Sequence, residues 1–183
     1  MSPATFATHE VFNQSPPFED VDLFALDRPL VDAVAANGGT SAATELSAFG
    51  KHWGSAAMAE RGRVANENTP KLRTFDSRGN RRDEVEFHPA YHELMGLAFG
   101  SGVHSLAWTA KEGGHAARAA LSYIWNQADA GVNCPTSMTY ASVKAIRNAP
   151  ALAAALEPRY SPPAMTLDRS TSAKRRASRS AWQ

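Results

Sequence analysis

Apolar residues recur at helical spacing along most of the chain and divide it into predicted helices. Asp27 stands before the run LVDAVAAN, and Gly38 and Gly39 stand after it, as expected for a helix with an N-cap residue and a glycine stop. A second helical segment is predicted from about residue 41 to residue 65. The residues on its predicted core-facing side are Leu46, Phe49, Trp53 and Ala57.

The helical period is lost between Asn66 and Phe87. Two short runs, LRTF and RRDEVEF, flank the sequence DSRGN, and this arrangement predicts a small β-hairpin. Pro89 suits the first turn of the next helix, which is predicted over residues 90–99. Further helices are predicted over about 103–109, 115–130, 136–148 and 151–156. The predicted fold is therefore all-α, a helical bundle with one hairpin.

Length and composition favour a single domain. The chain has 183 residues, 43% of them hydrophobic, which is enough for one sizeable core. Helical character ends near Tyr160, so we predict a domain over 1–160 and a disordered tail over 161–183. Cys134 is the single cysteine, which excludes an intramolecular disulfide and favours the cytoplasm. No apolar run approaches the ~20 residues of a membrane span, and the first residues lack the features of a secretory signal.

Basic charge is concentrated in the last residues of the chain. Of the 19 Lys and Arg residues, five follow Asp168, whereas all 18 acidic residues lie at or before it. The chain up to Asp168 is therefore mildly acidic, and charge-driven binding of nucleic acid would depend on the run KRRASR. One hypothesis is a small nucleic-acid-binding helical protein that uses this run as a disordered arm.

Two histidines have a spacing that could serve metal binding. His88 and His92 stand four residues apart, so both imidazoles could face one side of a helix as zinc ligands do. A zinc protease motif would need Glu directly after the first histidine, where this chain has Pro89, and a third ligand is not evident. A metal-binding helical protein is thus an alternative hypothesis, and we expect neither histidine to hold a metal.

Other chemical motifs are weak. Cys134 could be a nucleophile, but a free cysteine is more often a small buried hydrophobic residue, and no Cys-His-Asn signature accompanies it. The glycine pairs at 38–39 and 113–114 lack the strand–glycine–helix context of a phosphate-binding loop. Motifs alone therefore assign no reaction.

Four segments of the chain, taken in order, resemble one family. They are HEVFNQSPPFEDVDLFALD, GRVANENTPKLRTFDSRGNRRDEVEFHPAYHELM, VHSLAW and NCPTSMTYAS. These segments resemble the N-terminal domain of the AidB family, adaptive-response flavoproteins of the acyl-CoA dehydrogenase superfamily that are induced by DNA alkylation. The resemblance covers residues 8 to 160 and therefore essentially the whole predicted domain.

The resemblance implies a larger protein than this chain. Family members continue with a β-domain, a helical bundle and a C-terminal extension, bind FAD between the later domains, assemble as homotetramers and bind DNA through the C-terminal region. The flavin motif Met-Thr-Glu-Lys-Gln-Gly-Gly-Ser-Asp and the carboxylate base of the dehydrogenases are absent here. We therefore expect a chain that lacks the FAD site and the DNA-binding extension, is inactive alone, and has the missing flavin-binding domains as its partner.

The resemblance also implies candidate site residues. In the family the N-terminal helices wall one side of the flavin and acyl pocket, and by position Cys134, Met138 and Thr139 are candidates for its lining. The alternative is that these three residues only pack helices together. Helix faces that would pack on the missing domains should be exposed, which leads us to expect a marginally folded or self-associating chain. The residues expected on such faces are Trp53, Phe99, Trp108 and Ile124.

The ending KRRASRSAWQ suggests that the tail is frame-shifted. The codons of Trp182 and Gln183 with a following stop restrict the overlapping frame, which can encode Val-Ala-Ile-Gly-Met-Ala-Met-Thr over the last residues. This string resembles the Ile-Gly-Met-x-Met-Thr with which the family enters its flavin motif. The hypothesis places a truncating frameshift between Tyr160 and about Lys174, and sequencing the locus tests it.

Overall fold

Eight α-helices and a two-stranded hairpin form the described part of the chain, residues 9–160 of a computed structural model, with side chains described to residue 158. The helices are α1 (Arg28–Ala36), α2 (Ala43–Trp53), α3 (Ala56–Glu67), α4 (Pro89–Gly100), α5 (Leu106–Thr109), α6 (Gly114–Trp125), α7 (Asn133–Ile146) and α8 (Pro150–Tyr160), with a short 3-10 helix at Thr40–Ala42. The strands are β1 (Lys71–Phe75) and β2 (Arg81–Glu86). The predicted all-α class with a small hairpin is confirmed. The tail predicted over 161–183 lies outside the described residues and stays a prediction.

Side-chain caps begin several helices where the sequence predicts them. The Asp27 carboxylate accepts a hydrogen bond from the Leu30 amide at 3.0 Å and begins α1. Helix α1 ends before Gly38, whose φ is 75°, a conformation that glycine adopts without a steric cost. His88 caps α4 in the same way, because its Nδ1 accepts a hydrogen bond from the Ala90 amide at 3.1 Å.

The single helix predicted over 41–65 is in fact two helices. Ser55 begins α3 as an N-cap residue, since its Oγ accepts a hydrogen bond from the Met58 amide at 3.3 Å. This break shifts the helical phase, so Met58 is buried and Ala57 is exposed. The prediction that Ala57 faces the core is wrong, while those for Leu46, Phe49 and Trp53 are confirmed.

A contact with the N-terminal segment accounts for the break. The Val21 amide donates a hydrogen bond to the Gly54 carbonyl at 3.2 Å, so residues 21–24 cross the α2–α3 junction. A Cβ on Gly54 would lie 2.1 Å from the Val21 carbonyl oxygen, which leaves no room for a side chain. The Asp22 carboxylate fixes this crossing further, because it accepts hydrogen bonds from the Phe24 amide at 3.0 Å and from the Ser47 hydroxyl at 2.5 Å.

A pair of stacked indoles lies at the centre of the core. The rings of Trp53 and Trp125 are 5.7 Å apart and nearly parallel, and both side chains are buried. Ile124 and Phe99 are also buried, so the expectation that Trp53, Phe99 and Ile124 lie on exposed faces is wrong. Helical periodicity identifies a buried face but not which element covers it, and here the domain's own helices do so.

The hairpin and α8 lie outside this core. In the hairpin Leu72 faces Val85 across the two antiparallel strands, and both side chains are more than half exposed. Helix α8 follows α7 after a three-residue connection and packs against it. Among the helices described, none has the length and apolar character needed to cross a membrane.

Candidate functional site

The three candidate lining residues lie together on α7, near its N-terminal end. The Cys134 thiol is exposed, and its Sγ lies 3.9 Å from the Sδ of Met138, one turn further along. Met138 is 67% exposed, the largest value of any large apolar side chain on the described helices. Thr139 is half-buried, and its hydroxyl donates a hydrogen bond to the Pro135 carbonyl at 2.8 Å. Cys134 and Met138, with the exposed Ala141 and Ala145 on the same side, form the outer face of α7.

The opposite side of α7 fixes the helix on the domain. Thr136 and Val143 are buried there, and the Thr136 hydroxyl donates to the carbonyls of Val132 and Asn133. The Ser122 hydroxyl of α6 donates to the Asn133 side chain at 3.0 Å. The inner side of α7 therefore packs against the neighbouring helices. These contacts fix the orientation of α7, so its outer face points to solvent.

A cluster of aromatic and arginine side chains joins α5, α6 and α7. The ring of Trp108 stacks on the ring of Tyr140 at 5.2 Å, and its Nε1 donates a hydrogen bond to the Tyr140 carbonyl at 3.0 Å. The Arg118 guanidinium lies over the Tyr140 ring, 4.2 Å from the ring centre, as in a cation–π contact. His115 Nδ1 lies 3.0 Å from the Tyr140 hydroxyl. We call Trp108, His115, Arg118 and Tyr140 the aromatic–arginine cluster.

Arg118 is the central residue of this cluster. Its Nε donates to the Val103 carbonyl at 3.1 Å and its Nη2 donates to the Ser137 hydroxyl at 3.0 Å. Burial lowers the pKa of Arg118, because desolvation disfavours the charged form. Its guanidinium contacts these two acceptors and the Tyr140 ring, and these contacts orient α7. Most of the guanidinium is therefore already used within the domain and is not available to bind a ligand. Trp108, expected on an exposed face, is half-buried here.

The sequence contained a partial signal for this cluster. Trp108 and Tyr140 stand in two of the segments that carry the family resemblance, VHSLAW and NCPTSMTYAS. Their stacking depends on the angle between α5 and α7, which no local pattern specifies. The cluster was therefore missed at the level of sequence.

Concave sites on the described surface include two clefts and one depression. The α1–α6 cleft has a volume of about 630 Å³ and lies between α1 and the first turns of α6. The apolar cavity, of about 790 Å³, lies between α2, the end of α4, α5 and α6. A smaller polar depression, of about 440 Å³, lies between α3 and the turn that follows α6. None of the three is lined by Cys134, Met138 or Thr139.

Few cationic side chains line these three sites. A pyrophosphate group needs cationic side chains or clustered backbone amides. Neither Lys nor Arg lines the α1–α6 cleft or the apolar cavity. Arg63 lines the polar depression, but its guanidinium is already bound by Glu60 and Glu67. The described lining of these three sites therefore offers no unpaired Lys or Arg to a pyrophosphate group.

The two histidines considered as metal ligands have structural roles. His88 caps α4 through its Nδ1, and the His92 ring has edge contacts with Phe87 at 6.1 Å and Tyr91 at 5.6 Å. Within residues 9–160 no three His, Cys, Asp or Glu side chains are grouped closely enough to hold a metal ion. The metal-binding alternative has no support in this geometry.

Comparison with solved structures identifies the fold. The structure "Bd2924 apo-form" superposes with a TM-score of 0.74 and 20% identity, covering 84% of this chain and 32% of that chain. The "Crystal Structure of Caenorhabditis elegans ACDH-11 in complex with C11-CoA" superposes with a TM-score of 0.66 and 20% identity, covering 78% of this chain and 25% of that chain. At this identity the similarity shows a shared fold alone.

Sequence comparison is more specific. The Escherichia coli (strain K12) protein named "Putative acyl-CoA dehydrogenase AidB" is 41% identical over 137 residues, which cover 74% of this chain and 25% of that protein. The chain thus spans about a quarter of the length of this relative. The model of the family "Adaptive response protein AidB N-terminal domain" matches residues 13–164. The chain therefore belongs to the AidB N-terminal domain family.

Proposed function

We propose that this chain is the helical wall of an AidB-type acyl-CoA dehydrogenase, and that the outer face of α7 contacts the domains that hold the flavin and the acyl chain. The observation that carries the proposal is the exposure of Cys134 and Met138 on a helix whose other side is fixed by packing. A flat, weakly polar surface of sulfur and small side chains suits contact with an apolar partner. Family membership and the coverage of a quarter of the Escherichia coli relative support this role.

The same reasoning limits what the chain does alone. Neither Lys nor Arg lines the α1–α6 cleft or the apolar cavity, so we propose that the chain binds no FAD by itself and that FAD is held by further domains in intact family members. FAD accepts hydride when bound. This chain would contribute one side of the flavin site and would exclude water from it. A homotetramer, DNA binding through another region and a cytoplasmic location are proposed for intact members from the family resemblance alone.

Complementation in trans tests the role of α7. The chain would be expressed together with a family member from which the N-terminal domain has been deleted, and the complex would be purified through a tag on the deleted partner. We expect the chain to copurify and the complex to retain FAD, measured by flavin absorbance. Met138→Glu should reduce both recoveries about tenfold, since it places a charge against an apolar contact.

Leu72→Glu is the matched control. Leu72 on β1 is 68% exposed, like Met138, but it lies on the hairpin and not on α7. We expect Leu72→Glu to leave copurification unchanged. Equal losses in the two variants, or no copurification of the wild-type chain, would contradict the proposal. Stoichiometric FAD bound to the chain alone would contradict the second part.

A further inference from the structure

The apolar cavity has a charged rim that the proposed function does not use. Its interior is formed by aliphatic and aromatic side chains, among them Leu46, Phe49 and Leu121. Its volume of about 790 Å³ lies within the range of small-molecule sites, roughly 300–1,000 Å³. Glu45 and Glu112 line the cavity and are exposed to solvent, and we call these two residues its rim.

Both rim carboxylates are available to a ligand. Glu45 and Glu112 form no ion pair within the part of the chain that the structure describes, and no Lys or Arg lines the cavity. Lys51 and Lys111 neighbour the lining residues in sequence without contributing to the wall. The charged side chains that line the cavity are therefore these two carboxylates, which would attract a cation placed against the apolar wall.

We propose that the apolar cavity binds an amphipathic cation, a small molecule with an apolar body and a protonated amine or quaternary ammonium. The body would contact Phe49 and the leucines, and the cationic head would lie between Glu45 and Glu112. His52 also lines the cavity and is exposed, so its ring can contact the head or the body. An acyl-CoA carries several negative charges, so the two carboxylates of this rim disfavour it.

Three matched probes test the charge preference. They are 4-phenylbutylamine, 4-phenylbutanol and 4-phenylbutyrate, which share one body and differ in head charge at pH 7. Amide chemical shifts of Gly39 and Gly113, which line the cavity, report binding in the isotope-labelled chain. We expect the amine to bind about fivefold tighter than the alcohol and the carboxylate to bind weakest, with the difference falling as salt is added.

Two double variants and one single variant distinguish binding to the rim from binding in the interior. Glu45→Gln with Glu112→Gln should make the amine and the alcohol bind equally, whereas Glu10→Gln with Glu19→Gln changes net charge equally and should preserve the preference. Ala48 lines the cavity and is exposed, so Ala48→Trp can fill the mouth without disturbing the core and should abolish binding of all three probes.

Several outcomes would overturn the proposal for the apolar cavity and leave the proposal for the outer face of α7 unaffected. They are equal binding of the three probes, tightest binding of the carboxylate, no binding of any probe, and unchanged binding in Ala48→Trp. The complementation experiment with Met138→Glu reads a different face of the domain, so failure of one proposal is distinguishable from failure of the other.

Discussion

Two stacked tryptophans at the centre of the core differ in whether the indole N–H has a partner. Trp125 Nε1 donates a hydrogen bond to the Asp129 carbonyl at 2.6 Å, which closes the turn after α6. Trp53 Nε1 is buried without a hydrogen-bond partner in the described part of the chain. A buried polar group without a partner costs about 1–3 kcal/mol of stability. Residue chemistry alone therefore predicts different effects for the same substitution at the two positions.

We predict that Trp125→Phe lowers the free energy of unfolding by about 1–2 kcal/mol more than Trp53→Phe does. Both variants lose similar ring contacts, but Trp125→Phe leaves the Asp129 carbonyl without its donor, whereas Trp53→Phe removes an N–H that is already unpaired. Urea unfolding followed by circular dichroism measures both values. Equal losses would show that the indole N–H groups contribute equally.

A second prediction concerns the crossing of α3 over the turn that follows α6. A Cβ built on Gly62 would lie 2.0 Å from the Ala128 carbonyl oxygen, and backbone must move to admit it. We predict that Gly62→Ala lowers the free energy of unfolding by about 1–3 kcal/mol. Gly100 at the end of α4 has no atom within 4 Å of its Cβ position, so Gly100→Ala should be neutral or stabilising by up to about 1 kcal/mol. Urea midpoints that fall equally in both variants would contradict this account.

At the level of elements, α8 has no fully buried residue among residues 150–158. The Arg147 guanidinium at the end of α7 donates hydrogen bonds to both carboxylate oxygens of Glu157, with the Nε contacts at 3.0 and 3.2 Å. Its Nη2 forms a further hydrogen bond with Glu157 Oε1. These hydrogen bonds lower the pKa of Glu157, because they favour the ionised form. The Arg147–Glu157 ion pair, which we call the clamp, is thus a pH-dependent link between α7 and α8.

We predict that α8 loses protection from hydrogen exchange in acid. A carboxyl whose pKa is lowered by folding stabilises the folded state above its unfolded pKa, about 4.3 for Glu, and that contribution is lost as pH falls through the folded value. After correction for intrinsic rates, residues 150–158 should exchange faster at pH 3 than at pH 7 relative to α4. Glu157→Gln should reproduce roughly a twofold to fivefold increase at pH 7. Unchanged relative protection in both tests would contradict the clamp.

Elements set by local chemistry were predictable from the sequence, and those set by distant contacts were not. The cap of α1 at Asp27 and the hairpin around DSRGN depend on neighbouring residues, and both are confirmed. The end of α2 depends on Val21, more than thirty residues away, and was missed. Helix α6 was predicted to continue to residue 130 but ends at Trp125, because the chain turns to bring the Asp129 carbonyl to that indole.

The same distinction applies to the candidate sites of the whole molecule. Family resemblance located Cys134, Met138 and Thr139, and the structure brings the three together on one helix, but it does not test their role in a pocket. The rim of the apolar cavity joins residues 45 and 112, and no sequence pattern relates positions so far apart. Three-dimensional sites of this kind require the packing of α2 against α6.

The extent of the core leads to a prediction for the whole domain. One cluster of buried apolar residues extends from Leu23 to Val132 and includes side chains from α1, α2, α3, α4 and α6. Since these helices share a core, we predict that they unfold together, with tryptophan fluorescence and circular dichroism reporting one coincident transition. Leu94, fully buried on α4, offers the test: Leu94→Ala should shift both signals by the same amount, about 2–5 kcal/mol in the free energy of unfolding. Two separated transitions would contradict this prediction, because they would show that the helices do not unfold as one unit.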